Sequence, residues 1–364
     1  MTLFMFVTGL TLLVIGSEAL VRGASRLASA LGISPLIVGL TVVAFGTSSP
    51  ELAVSIKAVW SGQDSITVGN VVGSNIFSVL FILGLSALIA PLVVAQQLVR
   101  LDVPLMIALS VILLLISLDN TISRIDGFML SSALFFYVWF LIHNSRKESV
   151  NVNEEYARQF GMKAADRDNW IKNIVLILSG LVLLVLGSRW LVDSAVSFAR
   201  YFGVSELIIG LTIVAAATSL PEVATSFIAA MRGERDIAVG NIVGSNIFNI
   251  LAVLGVTGLV APHGIEVPDA VTRFDIPVMI VVAFACLPIF FTGGVISRPE
   301  GLLLMAYYVA YTLYLVLAAA HHDALPRFSP VMLYFVIPLT VVTLIVLALN
   351  EIRSKITIQP RWRQ

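Results

Sequence analysis

The chain has 364 residues, of which 58% are hydrophobic and only 12% charged, with a mean hydropathy of +0.98. Soluble globular domains carry about a quarter charged residues, so this composition excludes one and implies an integral membrane protein. A net charge of zero points to no polyanionic partner such as nucleic acid, and Cys286, the single cysteine, excludes an internal disulfide and any cysteine-built metal site.

About 20 mainly apolar residues cross a bilayer as a helix. Eleven runs of that kind follow one another, near residues 2–21, 34–60, 66–92, 101–118, 126–143, 172–192, 205–231, 237–261, 274–292, 299–320 and 330–350. They are solid apolar runs and not the alternating segments of about 10 residues that build spanning barrels, so the predicted fold is all-α. The first run lacks a basic flank and a small-residue cleavage site, and reads as a retained helix and not a removable leader.

The second run contains "AFGTSSPELA", Ala44 to Ala53, where a helix breaker and a carboxylate interrupt apolar sequence. The interruption recurs. "GLTVVAFGTSSPE" at Gly39 returns as "GLTIVAAATSLPE" at Gly210, "GNVVGSNIF" at Gly69 as "GNIVGSNIF" at Gly240, and "GLTLLVIGSEALV" at Gly9 as "GLVLLVLGSRWLV" at Gly180. Each pair is 171 residues apart, and 44 of the 83 positions from Gly9 to Pro91 are identical to their counterparts. Apolar composition alone does not produce that agreement, so the chain is a duplicated unit.

Five crossings per unit return the second copy to the membrane from the opposite side, which makes the halves inverted repeats with a substrate site expected at the midplane between them. The boundaries are residues 1–143 for the first five-helix repeat, 144–171 for a cytoplasmic linker, 172–320 for the second repeat, and 321–364 for an extra transmembrane helix with a basic cytoplasmic tail. The linker carries both charge signs and reads as a loop with at most one surface helix. Lysine and arginine are split sixteen to six in favour of the cytoplasm when the N-terminus lies outside and the C-terminus inside. The plasma membrane is the expected location.

Pro50 and Pro221 lack an amide hydrogen and clash with the preceding turn, so they should break their helices and turn carbonyls near Ala44, Gly46 and Thr47, and near Ala215, Ala217 and Thr218, towards a cavity. Non-helical backbone at membrane depth is tolerated only where protein or a wet cavity receives it. Glu51 and Glu222 follow the prolines directly, each one turn past a threonine. A carboxylate at the bilayer centre costs roughly 2.5 to 3.5 kcal/mol even on insertion scales, so two at equivalent places argue for a shared ligand. Carboxylates, carbonyls, hydroxyls and amides without histidine or cysteine suit calcium, sodium or magnesium and not zinc or copper. Ser74 and Ser245, with Ser78 and Asn249 one turn on, add oxygens from the "GSN" segments, whose glycines favour close helix approach. Asn70, Asn75, Asn241 and Asn246 read equally well as interhelical hydrogen-bond formers.

At these residues the sequence resembles the sodium/calcium exchangers of the cation/calcium exchanger superfamily, specifically the short prokaryotic members. The likeness covers both repeats, to about residue 320. It implies a transporter and not an enzyme, without a cofactor, moving calcium and sodium by alternating access as the first and sixth helices slide over the rest. It implies that Glu51 and Glu222 are shared ligands of both ions, that Thr47 and Thr218 complete a calcium site through their carbonyls, that Ala44, Ser48 and Ser74 form a sodium site beside Glu222, and that Ala215, Ser219 and Ser245 form its match beside Glu51. One departure stands out: the archaeal pattern has Asn and Asp where this chain has Ser78 and Asn249, so the pocket lacks a third acid. Asn249 is similar to the potassium-independent members, while Ser78 leaves a calcium/proton exchanger open. A channel would show no counter-transport, and no Ser/His or paired-Asp arrangement supports an intramembrane hydrolase.

Overall fold

The computed structural model describes residues 2–160, 170–203, 215–291 and 294–319. The eleventh run, the C-terminal tail and the first half of the seventh run lie outside the described residues. Within them the chain is a bundle of α1 (Thr2–Leu31), α2 (Pro35–Trp60), α3 (Asp64–Ile89), α4 (Leu98–Ile116), α5 (Arg124–Phe160), α6 (Trp170–Tyr201), α7 (Leu220–Met231), α8 (Arg235–Val260), α9 (Val271–Phe291) and α10 (Arg298–Ala319). Nine of these described helices are long and apolar enough to span a bilayer, and α7 is the shorter tenth.

Local chemistry sets the helix ends. Ser34 caps α2 by accepting from the Ile37 amide at 3.4 Å, with Pro35 at the first helical position, where its missing N–H costs nothing. Ser123 and Asp126 form a reciprocal capping box before α5, the Ser123 amide donating to Asp126 at 2.8 Å; before α10 the Ser297 amide and hydroxyl both donate to Glu300 at 2.7 Å. The tight turns between α2 and α3 and between α7 and α8 rest on Gly62 and Gly233, at φ +68° and +78°, which other residues adopt only with strain.

The helices pack through reciprocal glycine contacts. A Cβ on Gly9 would lie 2.9 Å from the Gly187 carbonyl oxygen, and one on Gly180 would lie 2.7 Å from that of Gly16. Gly9 and Gly180 are repeat equivalents, as are Gly16 and Gly187, so α1 and α6 run antiparallel along a seam where backbone meets backbone. Gly84 meets Gly301 in the same manner, joining α3 to α10, and between α5 and α8 a Cβ on Gly127 would lie 2.8 Å from the Gly255 oxygen while one on Gly255 would meet Ser131. Helix α8 is enclosed along its whole apolar window and forms the centre of the bundle. On α8, Gly240 and Gly244 lie against Leu36 and Leu40 of α2; the segment equivalent to Pro35–Leu40 falls within residues 204–214, outside the described residues. Large apolar side chains such as Phe4, Phe135, Phe136 and Trp139 are exposed around the periphery, as a lipid-facing surface requires.

Two short antiparallel ribbons tie the loops. Strand β1 (Leu92–Val93) pairs with β4 (Val295–Ile296), and β2 (Thr121–Ile122) pairs with β3 (Ile265–Glu266). They lie at opposite ends of α4, since β1 precedes that helix and β2 follows it. Strands β1 and β3 occupy equivalent places after α3 and α8, yet they belong to different ribbons.

Candidate ion site at the helix breaks

Helix α2 breaks at Ser48 and resumes at Ser49; α7 starts after Ser219 in the same way, the two serines sharing φ/ψ of −81°/1° and −86°/6°. Pro50 and Pro221 each sit within the first two positions of the new helix, where a proline is accommodated, and Glu51 and Glu222 lie in its first turn, beside the positive end of the helix dipole. The break is tighter than the proline alone suggests. Ala44 was expected to offer a free carbonyl, but its oxygen accepts the Ser48 amide at 2.9 Å and the Thr47 hydroxyl at 3.3 Å.

Across the interface the halves exchange hydrogen bonds. The Ser219 hydroxyl donates to Glu51 Oε1 at 3.1 Å and lies 3.1 Å from Ser74 Oγ, while the Ser48 hydroxyl donates to Glu222 Oε1 at 3.4 Å. Glu51 is 0% exposed and Glu222 1%. Their remaining oxygens, Glu51 Oε2 and Glu222 Oε2, are buried without a hydrogen-bond partner among the described residues. Asn249 is in the same position: its Nδ2 donates to Asn75 Oδ1 at 3.0 Å, and its own Oδ1 has no partner. No basic side chain pairs with either glutamate, and no third Asp, Glu, His or Cys joins them among the described residues.

Ser78 and Asn249 are buried and each opens a π-helical stretch, Ser78–Leu83 in α3 and Asn249–Leu254 in α8. Such widened turns release part of the i to i−4 ladder and occur often at functional sites. Ser245 is fully buried, but its hydroxyl donates back to the Ile242 carbonyl at 3.0 Å and not across the interface as Ser74 does. Ala44 packs on the face of Gly244, and Ala215 is the first described residue ahead of the second break, in the helical turn Ala215–Ala217. Thr47 and Thr218 reach the opposite half through amides: the Thr47 hydroxyl donates to Asn241 Oδ1 at 3.0 Å and the Thr218 hydroxyl to Asn70 Oδ1 at 3.2 Å. Two serines that the motifs did not single out, Ser55 and Ser226, complete these bridges one turn past the glutamates. Their identity in both repeats was the available signal.

Comparison with known proteins accords with this geometry. The sequence model of the sodium/calcium exchanger protein family matches residues 1–143 and 172–317, both halves of the chain. This chain belongs to the sodium/calcium exchanger family. The family consists of transporters and not enzymes, and the chain is accordingly a multi-pass membrane antiporter. Among similar members are a putative antiporter, CaxA, of Alkalimonas amylolytica, 38% identical over 85% of this chain and 97% of its own length, and the sodium/calcium exchanger MaX1 of Methanosarcina acetivorans, 32% identical over 83% and 95%. The solved sodium-calcium exchanger NCX_Mj superposes with a TM-score of 0.72 at 29% identity, covering 85% of this chain and 96% of its own.

Proposed function

We propose that this family member exchanges calcium for sodium by alternating access, with both ions competing for one midplane site built on Glu51 and Glu222. The observation that carries the reading is the pair of enclosed carboxylates whose second oxygens lack a hydrogen-bond partner among the described residues. A buried carboxylate without a counter-charge costs several kcal/mol, and an enclosed cation bound to both would offset that cost. The oxygen-only donor set, with Ser48, Ser219, Ser74, Ser78 and Asn249 around the glutamates and the carbonyls of Thr47, Thr218 and Ala215 proposed beside them, favours a hard ion such as calcium or sodium; the Ala44 carbonyl would have to give up its bonds to Ser48 and Thr47 to join them. Two negative charges balance one calcium or two sodium ions, so occupancy by one species excludes the other and couples opposed fluxes. No resident cofactor is required.

The exchange of equivalent strands between ribbons supports inverted halves over residues 1–143 and 172–320. In this reading α1 and α6 are the sliding pair and the N-terminus lies outside the plasma membrane. With residues 144–171 and the tail that follows the eleventh run inside, Lys and Arg fall sixteen to six on the cytoplasmic side.

A second reading, calcium/proton exchange, draws on the acid count: with Ser78 and Asn249 neutral, two glutamates could release one calcium by taking up two protons. Radioactive calcium uptake into sealed inverted vesicles, under separately imposed sodium, potassium and proton gradients, discriminates the two. Uptake that follows the sodium gradient at clamped pH is expected. Uptake that follows only the pH gradient overturns sodium coupling in favour of the second reading.

A further inference from the structure

The two asparagines Asn70 and Asn241 stand outside the set of proposed ion ligands, yet each bridges the two halves beside a glutamate. Asn241, on α8, accepts from Thr47 of the first half at 3.0 Å, and its Nδ2 donates to Ser226 Oγ at 2.9 Å, one turn past Glu222 on the same face. Asn70, on α3, accepts from Thr218 of the second half at 3.2 Å, and its Nδ2 lies 3.3 Å from both Ser55 Oγ and the backbone oxygen of Glu51 itself. The orientation of the Asn70 amide is fixed by chemistry: a backbone carbonyl only accepts, so the nitrogen must face Glu51 and the oxygen must face Thr218. Asn241 takes the equivalent arrangement.

We infer that Asn70 and Asn241 are positioning residues that set the spacing of the ion site, each holding the broken turn of one half at a fixed distance from the glutamate-bearing helix of the other. The inference rests on the ion site proposed above. Each bridge is one amide long, so the gap between Thr47 and the Glu222 helix, and between Thr218 and the Glu51 helix, cannot change without breaking a hydrogen bond. A buried bond lost with its partner left behind is expensive, which makes the gauge stiff. In a cage that discriminates by the size of its opening, a stiff gauge acts on selectivity between ions of equal charge and different radius. The two bridges are not equal. Thr47, Asn241 and Ser226 are all 0% exposed, whereas Asn70 and Thr218 are half-buried, so water can replace part of the second bridge and not the first.

The test uses the full-length protein in proteoliposomes, with sodium-driven uptake of labelled calcium and its competition by strontium. Asn241→Ala and Thr47→Val remove the two ends of the enclosed bridge; Thr47→Val keeps shape and backbone, so it remains informative should Asn241→Ala fold poorly. Each should shift the calcium-to-strontium preference by roughly tenfold, Asn70→Ala by less, and the Thr47→Val/Asn241→Ala double variant by no more than either alone. A role confined to folding would lower the amount of active protein without moving that ratio. An unchanged ratio in Thr47→Val, or a double variant whose shift is the product of the singles, overturns the inference. Glu51→Gln and Glu222→Gln in the same preparation separate the failures: if these retain exchange, the ion site itself is wrong; if they abolish it while the ratio stays fixed in the bridge variants, only the positioning role is wrong.

Discussion

Glu51 and Glu222 are enclosed and each has one oxygen bonded and one unpartnered, an arrangement that favours the empty protein less than the occupied one. Glu222→Gln keeps the shape and removes the charge. In ion-free detergent solution it should therefore melt no lower than the parent, since a neutral amide costs less to bury. Calcium at a hundred times its dissociation constant should stabilise the parent by about 2.7 kcal/mol and leave the variant almost unmoved, a difference read directly as a shift in melting temperature. A variant stabilised as strongly as the parent would remove Glu222 from the site. Glu234, in the turn after α7, presents a different residue-scale effect. Burial raises its carboxyl above the ordinary 4.5, offset in part by the Ser25 hydroxyl at 2.8 Å and reinforced by Asp236. An acid whose pKa is raised on folding contributes stability that is fully present below its unfolded pKa and is lost as the pH rises through the higher folded value. Glu234→Gln should thus gain in melting temperature relative to the parent at pH 7 over pH 4; an equal difference at both would contradict the assignment. The proposed ligands, Ser78 and Asn249 excepted, were legible in the sequence because each occurs twice at one spacing. The bridges were not, because Thr47 and Asn241 are 194 residues apart and only the packed interface reveals which hydroxyl meets which amide. The inward turn of Ser245 is a choice of side-chain rotamer, which its identity with Ser74 does not determine.

At the scale of elements, the α1–α6 seam depends on glycine where the sequence motif showed only similarity between repeats. A methyl group on Gly16 would lie 2.9 Å from both the Gly180 oxygen and the Leu184 nitrogen, backbone atoms that cannot step aside. Gly16→Ala should cost about 1–3 kcal/mol, the usual range for overpacking, and Gly69→Ala, which meets nothing within 4 Å, should cost far less. Melting curves of the two variants check the contrast, and equal losses would contradict it. Hydropathy located the membrane crossings but not the helix ends. Helix α1 runs on past Arg22 to Leu31 and stops at Gly32, φ +67°, and α5 runs on through charged sequence to Phe160 because no breaker intervenes. The segment read as a linker loop therefore begins as a continuation of α5. A second repeated pair, Asp102 with Tyr137 at 3.0 Å and Asp275 with Tyr311 at 2.9 Å, escaped the sequence comparison, because past residue 91 the spacing between equivalents slips from 171 to 173 and 174. These pairs fasten α4 to α5 and α9 to α10, away from the glutamates.

At the scale of the molecule, duplication explains why the site lies between halves and not within one. Each half supplies one glutamate on a broken helix and one serine that reaches the other half's glutamate, so neither half alone holds two charges together. The enclosed α8 and the seam of α1 against α6 form parts of one architecture, and in the exchange proposed above the first would fix the ligands while the second would change which side is open. Such a molecule couples two ions only if both need the same oxygens. The most direct test of that claim is calcium binding to the purified protein, measured at a series of sodium concentrations. The account predicts that sodium raises the apparent dissociation constant for calcium without changing the number of sites, and that Glu222→Gln abolishes both the binding and the competition. Calcium bound at full strength beside saturating sodium would contradict it.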